Sequence, residues 1–330
     1  MPVSPTTGMQ SEAEAAVHLL VIVGPTAAGK TAFSLDLAEA LALATGQGCE
    51  IVSADSRQIY RGMDVGTAKA TSAERSRVPH HLLDVVAPDQ VLTLAEYQAL
   101  AYEAIAGIDR RDRLPVLAGG TGQYIAAVLE GWRIPEVAPR PDLRAELEAQ
   151  AAAEGSESLH DRLATLDPVA ASRIDHRNVR RVIRALEVCL ATGRPISELQ
   201  AKEPPPYDVV QIGITRPRPV LYERIDRRVE GMVAAGLVEE VRGLAAAGYS
   251  WDLPAMTGLG YRQIGQYLRG EVTLEEAVAL IKKGTRRLVQ QQYNWFRPDD
   301  PRIHWIDPAD TSPGELLAQL RGTLSPFSAT

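Results

Sequence analysis

The stretch "VIVGPTAAGKT" (21–31) decides the fold of this chain, because it runs from a short apolar segment into a glycine-rich loop. Its spacing, G-x-x-x-x-G-K-T, is the P-loop pattern, in which backbone N–H groups face phosphate oxygens at a helix N-terminus. Lys30 supplies a positive charge, and the Thr31 hydroxyl is a candidate Mg²⁺ ligand. We predict a diphosphate- or triphosphate-binding loop made of Gly24, Pro25, Thr26, Ala27, Ala28, Gly29, Lys30 and Thr31.

Apolar runs and amphipathic segments alternate around this loop. Strands are predicted at 18–24, 49–56 and 114–122, and helices at 30–44, 93–111 and 123–131. This alternation predicts an α/β fold, with a P-loop NTPase-like core and a parallel sheet flanked by helices. Ligands of such sheets bind beyond the carboxyl ends of the strands. Asp55 and Gly119 fall at such ends, as Gly24 does.

The pattern changes after residue 131. Prolines at 135, 139 and 141 interrupt the chain, residues 141–200 show only helical periodicity, and a further strand follows near Val209. We therefore predict an all-helical insertion domain in the core. The predicted parts are a disordered tail at 1–16, a catalytic core at 17–131 and 206–330, and the insertion at 132–205.

Composition excludes several classes of protein. The chain has 330 residues, a formal net charge of -7 and 45% hydrophobic residues, with no apolar run near the ~20 residues of a membrane helix. The N-terminus lacks the pattern of a signal peptide. Two cysteines, Cys49 and Cys189, indicate neither a disulfide framework nor a zinc site. We expect a cytoplasmic protein that does not bind membranes.

A P-loop by itself leaves the reaction open. Most P-loop proteins are kinases or NTPases, in which a carboxylate near a strand end holds Mg²⁺ or takes a proton from the acceptor. Asp55 is placed for either task, and a helix-capping aspartate is the structural alternative. A small-molecule kinase and an RNA-binding module with a regulatory P-loop both remain candidates from these residues alone.

Longer motifs favour a third candidate. The segments occur in one order over most of the chain, and "SADSRQIYRGMDVGTAK" and "AGGTGQY" are the most specific of them. They are "GPTAAGKT" (24–31), "SADSRQIYRGMDVGTAK" (53–69), "HHLLDV" (80–85), "AGGTGQY" (118–124), "RRVIRALEV" (180–188), "MTGLGYRQ" (256–263) and "TRRLVQQQYNWFR" (285–297). With these segments the chain resembles the bacterial tRNA dimethylallyltransferases, also called tRNA isopentenyl transferases.

The resemblance implies that phosphate is the leaving group. The P-loop would hold dimethylallyl diphosphate with Mg²⁺, and the prenyl unit would move to N6 of the adenosine 3′ of the anticodon, at tRNA position 37. Asp55 would be the general base, and Thr121 would lie near the reacting adenosine. Arg224 and Arg228, one helical turn apart, would bind diphosphate; a solvated helix face is the alternative for them. The family also implies a monomer.

The same resemblance implies contacts to the tRNA anticodon stem-loop. Periodicity places five arginines between residues 173 and 184 on one basic helix face, opposite Leu186 and Leu190, and such a stripe is typical of backbone binding. A solvated charged face is the alternative. The candidate tRNA-contacting residues are Asp55, Ser56, Arg57, Gln58, Thr121, Arg144, Arg180, Arg181, Val182, Ile183 and Arg184.

The chain departs from the family pattern near its C-terminus. Gln290, Gln291 and Gln292 stand where the family usually has a basic pair followed by glutamine, and Asn294 replaces a threonine. Two lost charges predict weaker phosphate contacts. We interpret Trp295 as a core residue, together with Trp251 and Phe296, and interpret His80 and His81 as structural.

Overall fold

A computed structural model describes residues 16–320, so the predicted tail lies almost entirely outside the described residues. Its centre is a six-stranded sheet in which neighbouring strands are parallel, in the order β3-β2-β4-β1-β5-β6. The strands are Val17–Val23 (β1), Cys49–Ala54 (β2), His80–His81 (β3), Leu114–Gly119 (β4), Tyr207–Ile214 (β5) and Ile303–Ile306 (β6). Strands β3 and β6 were not predicted from the sequence.

Helices cover the sheet and form the insertion. They are Lys30–Thr45 (α1), Ser72–Arg77 (α2), Leu94–Asp109 (α3), Gly122–Glu130 (α4), Pro141–Glu154 (α5), Ser156–Leu166 (α6), Pro168–Arg173 (α7), Val179–Thr192 (α8), Ile196–Leu199 (α9), Arg218–Ala234 (α10), Leu237–Ala246 (α11), Tyr261–Leu268 (α12), Leu274–Trp295 (α13) and Pro313–Leu320 (α14). Within residues 16–320, no helix is both long enough and apolar enough to cross a membrane.

Strand β1 shows why the sheet has helices on both sides. Leu20 and Ile22 pack with residues of α1 and α10, whereas Leu19 and Val21 pack with residues of α3 and α4. A strand covered on both faces is apolar at consecutive positions, as the opening run is. Because β1 pairs with both β4 and β5, the loops that follow these strands meet at one edge of the sheet.

The insertion has a hydrophobic cluster of its own. Helices α5 to α8 bury Leu147, Leu159, Leu163 and Leu186 against one another. The continuous basic helix predicted across residues 173–184 is wrong, because α7 ends at Arg173 and α8 begins only at Val179. Asn178 caps α8 with its side chain, and this cap explains the new helix start.

Candidate active site

The P-loop connects β1 to α1 in a strained conformation. Gly24 and Gly29 have φ angles of 138° and 108°, which favour glycine. A Cβ atom on Gly24 would lie 2.1 Å from the carbonyl oxygen of Ile214, so no larger residue fits beside β5. Both glycines of the motif are therefore required by the backbone, and the predicted strand, loop and helix are present.

Cationic side chains hold the carbonyl groups of the P-loop. The Lys30 ammonium donates to the oxygens of Gly24 and Pro25, each at 2.9 Å. The Arg224 guanidinium donates to the Ala27 oxygen at 2.7 Å, and Arg216 donates to the next carbonyl along the loop at 3.1 Å. The partners of Lys30 and Arg224 are neutral oxygens, which do not offset their positive charge, whereas Arg216 also pairs with Asp307 at 3.0 Å.

A cavity of about 460 Å³ opens beside the loop. Its lining contains four cationic side chains, and Asp55 is the only carboxylate among the described lining residues. The lining residues are Thr26, Ala27, Gly29, Lys30, Thr31, Ala32, Ser34, Ile51, Ser53, Asp55, Gln58, Ala68, Ala70, His80, Ala118, Gly119, Arg224, Arg227 and Arg228. The excess of positive charge suits a polyanionic ligand. Of the predicted diphosphate-binding residues, all but Gly24, Pro25 and Ala28 line this cavity, and the predicted base Asp55 lines it too.

Burial and neighbouring charges lower the pKa values of three cationic side chains in this cavity. Burial lowers the pKa of Lys30 to about 8, with Asp55 opposing the shift and Arg228 adding to it. Burial also lowers the pKa of Arg228, which the carboxylate of Asp55 again opposes. The pKa of Arg224 is lowered by burial and by neighbouring arginines. An anion in the cavity would relieve this crowding of positive charge.

Asp55 lies directly beyond the carboxyl end of β2, in a turn. Its Oδ1 accepts a hydrogen bond from the backbone N–H of Arg57 at 2.8 Å. Residues 56–59 form turns and not a helix, so the alternative of a helix-capping aspartate is wrong. One carboxylate oxygen is thus used to fix the side chain on the turn, within the cavity lining.

Thr121 joins this turn to the end of β4. Its Oγ1 accepts a hydrogen bond from the N–H of Ser56 at 3.0 Å and lies 3.3 Å from the Ser56 hydroxyl. Its own N–H donates to the Ala54 oxygen at 3.1 Å. Although Thr121 precedes α4, its side chain does not cap that helix. The threonine therefore holds the loop that carries Asp55.

The side-chain amide of Gln58 forms its hydrogen bonds within the protein. Its amide accepts from the Ser53 hydroxyl at 3.2 Å and donates to the carbonyls of Thr67 and Ala68 at 3.4 and 3.3 Å. Arg57 is exposed and donates to the Pro254 oxygen at 2.8 Å. Of these two candidate tRNA contacts, Arg57 is the more accessible to a ligand, whereas the amide of Gln58 supports the loop at 67–68.

The preceding loop, at residues 64–66, is held by a carboxylate that was not predicted from the sequence. The Glu240 carboxylate accepts hydrogen bonds from the backbone N–H groups of Asp64, Val65 and Gly66 at 2.7–3.0 Å. It also accepts a hydrogen bond of 2.5 Å from the hydroxyl of Tyr261. Successive N–H groups of this kind form a concave anion site, which here is filled by the protein's own carboxylate. No signal in the local sequence indicates this pairing.

The comparisons with known proteins agree with this geometry. A family model described as IPP transferase matches residues 58–299. The chain belongs to the IPP transferase family. The tRNA dimethylallyltransferase of Roseiflexus castenholzii is 59% identical over 281 residues, which cover 85% of this chain and 90% of that protein. Its counterpart from another Roseiflexus strain, RS-1, is 57% identical with the same coverage. The resemblance drawn from the motifs is confirmed.

Solved structures also resemble this IPP transferase. The tRNA isopentenylpyrophosphate transferase of Bacillus halodurans has 41% identity and a TM-score of 0.67, covering 94% of this chain and 96% of that one. A eukaryotic dimethylallyltransferase described as acting on tRNA has 22% identity and a TM-score of 0.74, covering 94% of this chain and 77% of that one. The second likeness concerns the fold alone. The predicted α/β fold class is confirmed.

The three glutamines of this family member have different environments. Gln290 and Gln291 are exposed, but Gln292 is buried, with 7% of its surface accessible. Its amide bonds to the P-loop and to the backbone after β4. The interpretation of Trp295 as a core residue is wrong, since it is 41% exposed, whereas Phe296 is buried.

The insertion separates its arginines into two groups. Arg144 and Arg184 both pair with the fully buried Glu187, at 2.7 and 2.6 Å. Burial opposes ionisation of Glu187, but the hydrogen bonds from these arginines and from the backbone N–H of Arg140 outweigh it and lower its pKa to about 2. The two predicted tRNA contacts Arg144 and Arg184 are thus committed to a structural carboxylate.

The remaining candidate tRNA contacts on α8 are partly buried in the insertion and partly exposed to solvent. The side chains of Val182 and Ile183 are 0% and 3% exposed inside the insertion, so predicting them as tRNA contacts is wrong for their side chains. Leu190, predicted on the apolar face, is 38% exposed. Arg180 and Arg181 are exposed in the first turn of the helix. Of the candidates on α8, they are the ones that solvent reaches freely.

The donor set of the cavity is compatible with Mg²⁺. Among the described residues, no group of three or more His, Cys, Asp or Glu side chains is arranged to hold a metal ion. The Thr31 hydroxyl and the Asp55 carboxylate both line the cavity and are oxygen ligands. Mg²⁺ usually keeps several waters and binds through one or two protein groups together with substrate phosphates. These residues therefore fit Mg²⁺ that arrives with a diphosphate.

Proposed function

We propose that this IPP transferase moves a dimethylallyl group from dimethylallyl diphosphate to N6 of the adenosine at tRNA position 37, releasing diphosphate. One observation carries the proposal: a single cavity joins Lys30 and Arg228 to Asp55, whose carboxylate lies close enough to raise the pKa of both cations against the effect of burial. A leaving diphosphate and a base for the acceptor are the two requirements of this reaction.

Dimethylallyl diphosphate, the prenyl donor, fits both the charged and the apolar parts of the cavity lining. Lys30, Arg224 and Arg228 provide positive charge for the diphosphate, together with the N–H groups at the start of α1. Small apolar side chains line the same cavity and suit a five-carbon chain. They are Ile51, Ala68, Ala70 and Ala118. Bound Mg²⁺, with Thr31 as a ligand, would supply further positive charge to the phosphate oxygens.

The transfer breaks one bond and forms another. The allylic C–O bond breaks, and its electron pair leaves with the diphosphate, while the adenine nitrogen forms a bond to the allylic carbon. The nitrogen is a weak nucleophile because its lone pair is delocalised into the ring, so it must lose a proton as the bond forms. Asp55 accepts that proton, and Thr121 holds the turn that carries Asp55.

The acceptor must leave the stacked anticodon loop to reach this cavity. Enzymes that modify a base extrude it into a pocket, and single-stranded loops are the usual targets of RNA recognition. Arg180 and Arg181 are exposed cations on the insertion and are proposed to bind the tRNA backbone. The cavity belongs to one chain, so the proposal needs no second copy. We place the reaction in the cytoplasm.

A direct assay tests the proposal. The purified protein is mixed with Mg²⁺, dimethylallyl diphosphate and unmodified tRNA, without ATP, and the digested tRNA nucleosides are weighed by mass spectrometry. We expect an adenosine heavier by one prenyl unit. An unchanged adenosine on tRNA that is shown to be bound would reject the transfer and return the kinase and RNA-binding candidates.

Replacing the proposed base separates binding from chemistry. Asp55→Ala is expected to lower the transfer rate at least about 100-fold, since a positioned general base contributes roughly 10²–10⁴-fold. Dimethylallyl diphosphate should still bind, because the cations remain. The control is Asp89→Ala, which removes an exposed aspartate outside the cavity lining. Wild-type turnover by Asp55→Ala would reject the assignment of the base.

A further inference from the structure

Gln292 occupies a gap between the two halves of the site. It lies on α13 and reaches the P-loop, where its Oε1 accepts the backbone N–H of Thr26 at 2.8 Å. On the other side its Nε2 donates to the carbonyl of Gly120 at 3.0 Å. One planar amide thus connects the loop that follows β1 to the turn that follows β4.

Glycine is needed for this approach. A Cβ atom on Gly120 would lie 2.3 Å from Nε2 of Gln292, so the amide could not keep its place beside a larger residue. A glutamine amide is a suited partner, since it offers one acceptor and one donor on the same rigid group. A carboxylate would repel the Gly120 oxygen, and a methionine would satisfy neither backbone group.

The connection continues from Gly120 to the proposed base. The next residue, Thr121, accepts the N–H of Ser56, and Ser56 directly follows Asp55. A chain of hydrogen bonds therefore runs from Thr26 in the P-loop, through Gln292, to the turn that carries Asp55. The pairing of β1, β2 and β4 fixes where these loops begin, but the loop residues themselves are not paired in the sheet.

We propose that Gln292 is a positioning residue that sets the distance between the diphosphate cradle and the base. The inference rests on the proposed function, in which the donor carbon, the acceptor nitrogen and Asp55 must be aligned. A misplacement of about 1 Å between reacting groups costs roughly 100-fold in rate. Losing the bridge should therefore slow the transfer step more than it weakens the binding of either substrate.

Helix α13 does not depend on Gln292 for its own position. Ile281 and Val289 of this helix are buried in the main core, and one terminal nitrogen of Arg286, Nη2, donates to both carboxylate oxygens of Asp226 at 2.7 Å. A change at Gln292 should thus leave the helix docked, so the effect on positioning can be measured apart from folding.

The test uses Gln292→Met, which nearly keeps the side-chain volume and removes both hydrogen bonds, and Gln292→Glu, which keeps the acceptor but not the donor. Gln291→Met, at the exposed neighbouring position, is the matched control. Single-turnover transfer is measured with Mg²⁺ and saturating dimethylallyl diphosphate and unmodified tRNA, together with both dissociation constants and the melting temperature.

We expect both Gln292 variants to transfer about 10–100-fold more slowly at saturation, with dissociation constants within about threefold of the wild type. Hydrogen exchange should increase in peptides that contain Thr26 and Gly120. An unchanged rate at saturation, or a rate loss no larger than the loss of folded protein, would overturn the inference. If wild type and Gln291→Met also fail to transfer, the proposed function fails, and the inference fails with it.

Discussion

The binding of diphosphate by this protein should depend on pH through Lys30. Its ammonium is buried beside the P-loop carbonyls, and burial lowers its pKa to about 8. Only the charged form attracts the ligand, so affinity should fall as pH rises through that value. Between pH 7 and pH 9 the charged fraction drops from about 0.9 to about 0.1, a loss of about 1.3 kcal/mol in binding.

Isothermal titration calorimetry with dimethylallyl diphosphate, at fixed ionic strength, measures this change. The terminal phosphate, with a pKa of roughly 6, is ionised over the whole range, so the ligand contributes little to the slope. In Lys30→Arg the guanidinium stays charged throughout, and its affinity should be nearly constant from pH 7 to pH 9. A flat wild-type profile, or an equal fall in Lys30→Arg, would refute the reasoning.

A second variant tests the cause of the shift. The charge of Asp55 opposes the effect of burial and raises the pKa of Lys30. Asp55→Asn should therefore move the fall in affinity to lower pH, even though it removes a negative charge and helps the anion bind at pH 7. A midpoint that moves to higher pH would show that Asp55 does not act on Lys30 in this way.

Two further predictions concern stability and RNA binding. Glu240→Gln should destabilise the protein by about 2 kcal/mol in urea unfolding, because an amide NH₂ group replaces one of the two oxygens that accept the backbone N–H groups of residues 64–66, whereas the exposed Glu239→Gln should change little. An equal loss in both variants would contradict the anchoring role. The double variant Arg180→Ala, Arg181→Ala should reduce the slope of log affinity for tRNA against log salt concentration by about 1.4–1.8, as measured by fluorescence anisotropy. Arg177→Ala removes an arginine that is paired with Asp175, so it should reduce this slope less.

The parts of the site that directly follow strands could be predicted from the sequence. The P-loop and Asp55 each come directly after a short apolar run, and parallel strands bring their carboxyl ends to one edge. The short strands His80–His81 and Ile303–Ile306 were not readable, because two to four residues show no period. The core motifs therefore predicted the family and the position of the cavity better than they predicted the edges of the sheet.

Contacts between distant residues were not readable either. Gln292 meets Thr26 across 266 positions, and Glu240 meets the loop at 64–66 across 174–176 positions. Each is a polar residue whose partners are backbone groups, which carry no signal in the sequence. The Gln290–Gln292 run predicts a loss of charge at its first two positions, whereas its buried third member links the two loops of the site.

The type of partner decides whether an arginine can serve a polyanion in this protein. Arg184 lies within the predicted basic stripe, but it shares the single buried carboxylate of Glu187 with Arg144, which offsets one of their two positive charges. Arg224 and Arg228 donate instead to the carbonyls of Ala27 and Thr67, which orient a guanidinium without cancelling its charge. A count of arginines along a helix does not distinguish these cases. It follows that the cavity can attract a diphosphate although the chain as a whole carries a net charge of -7.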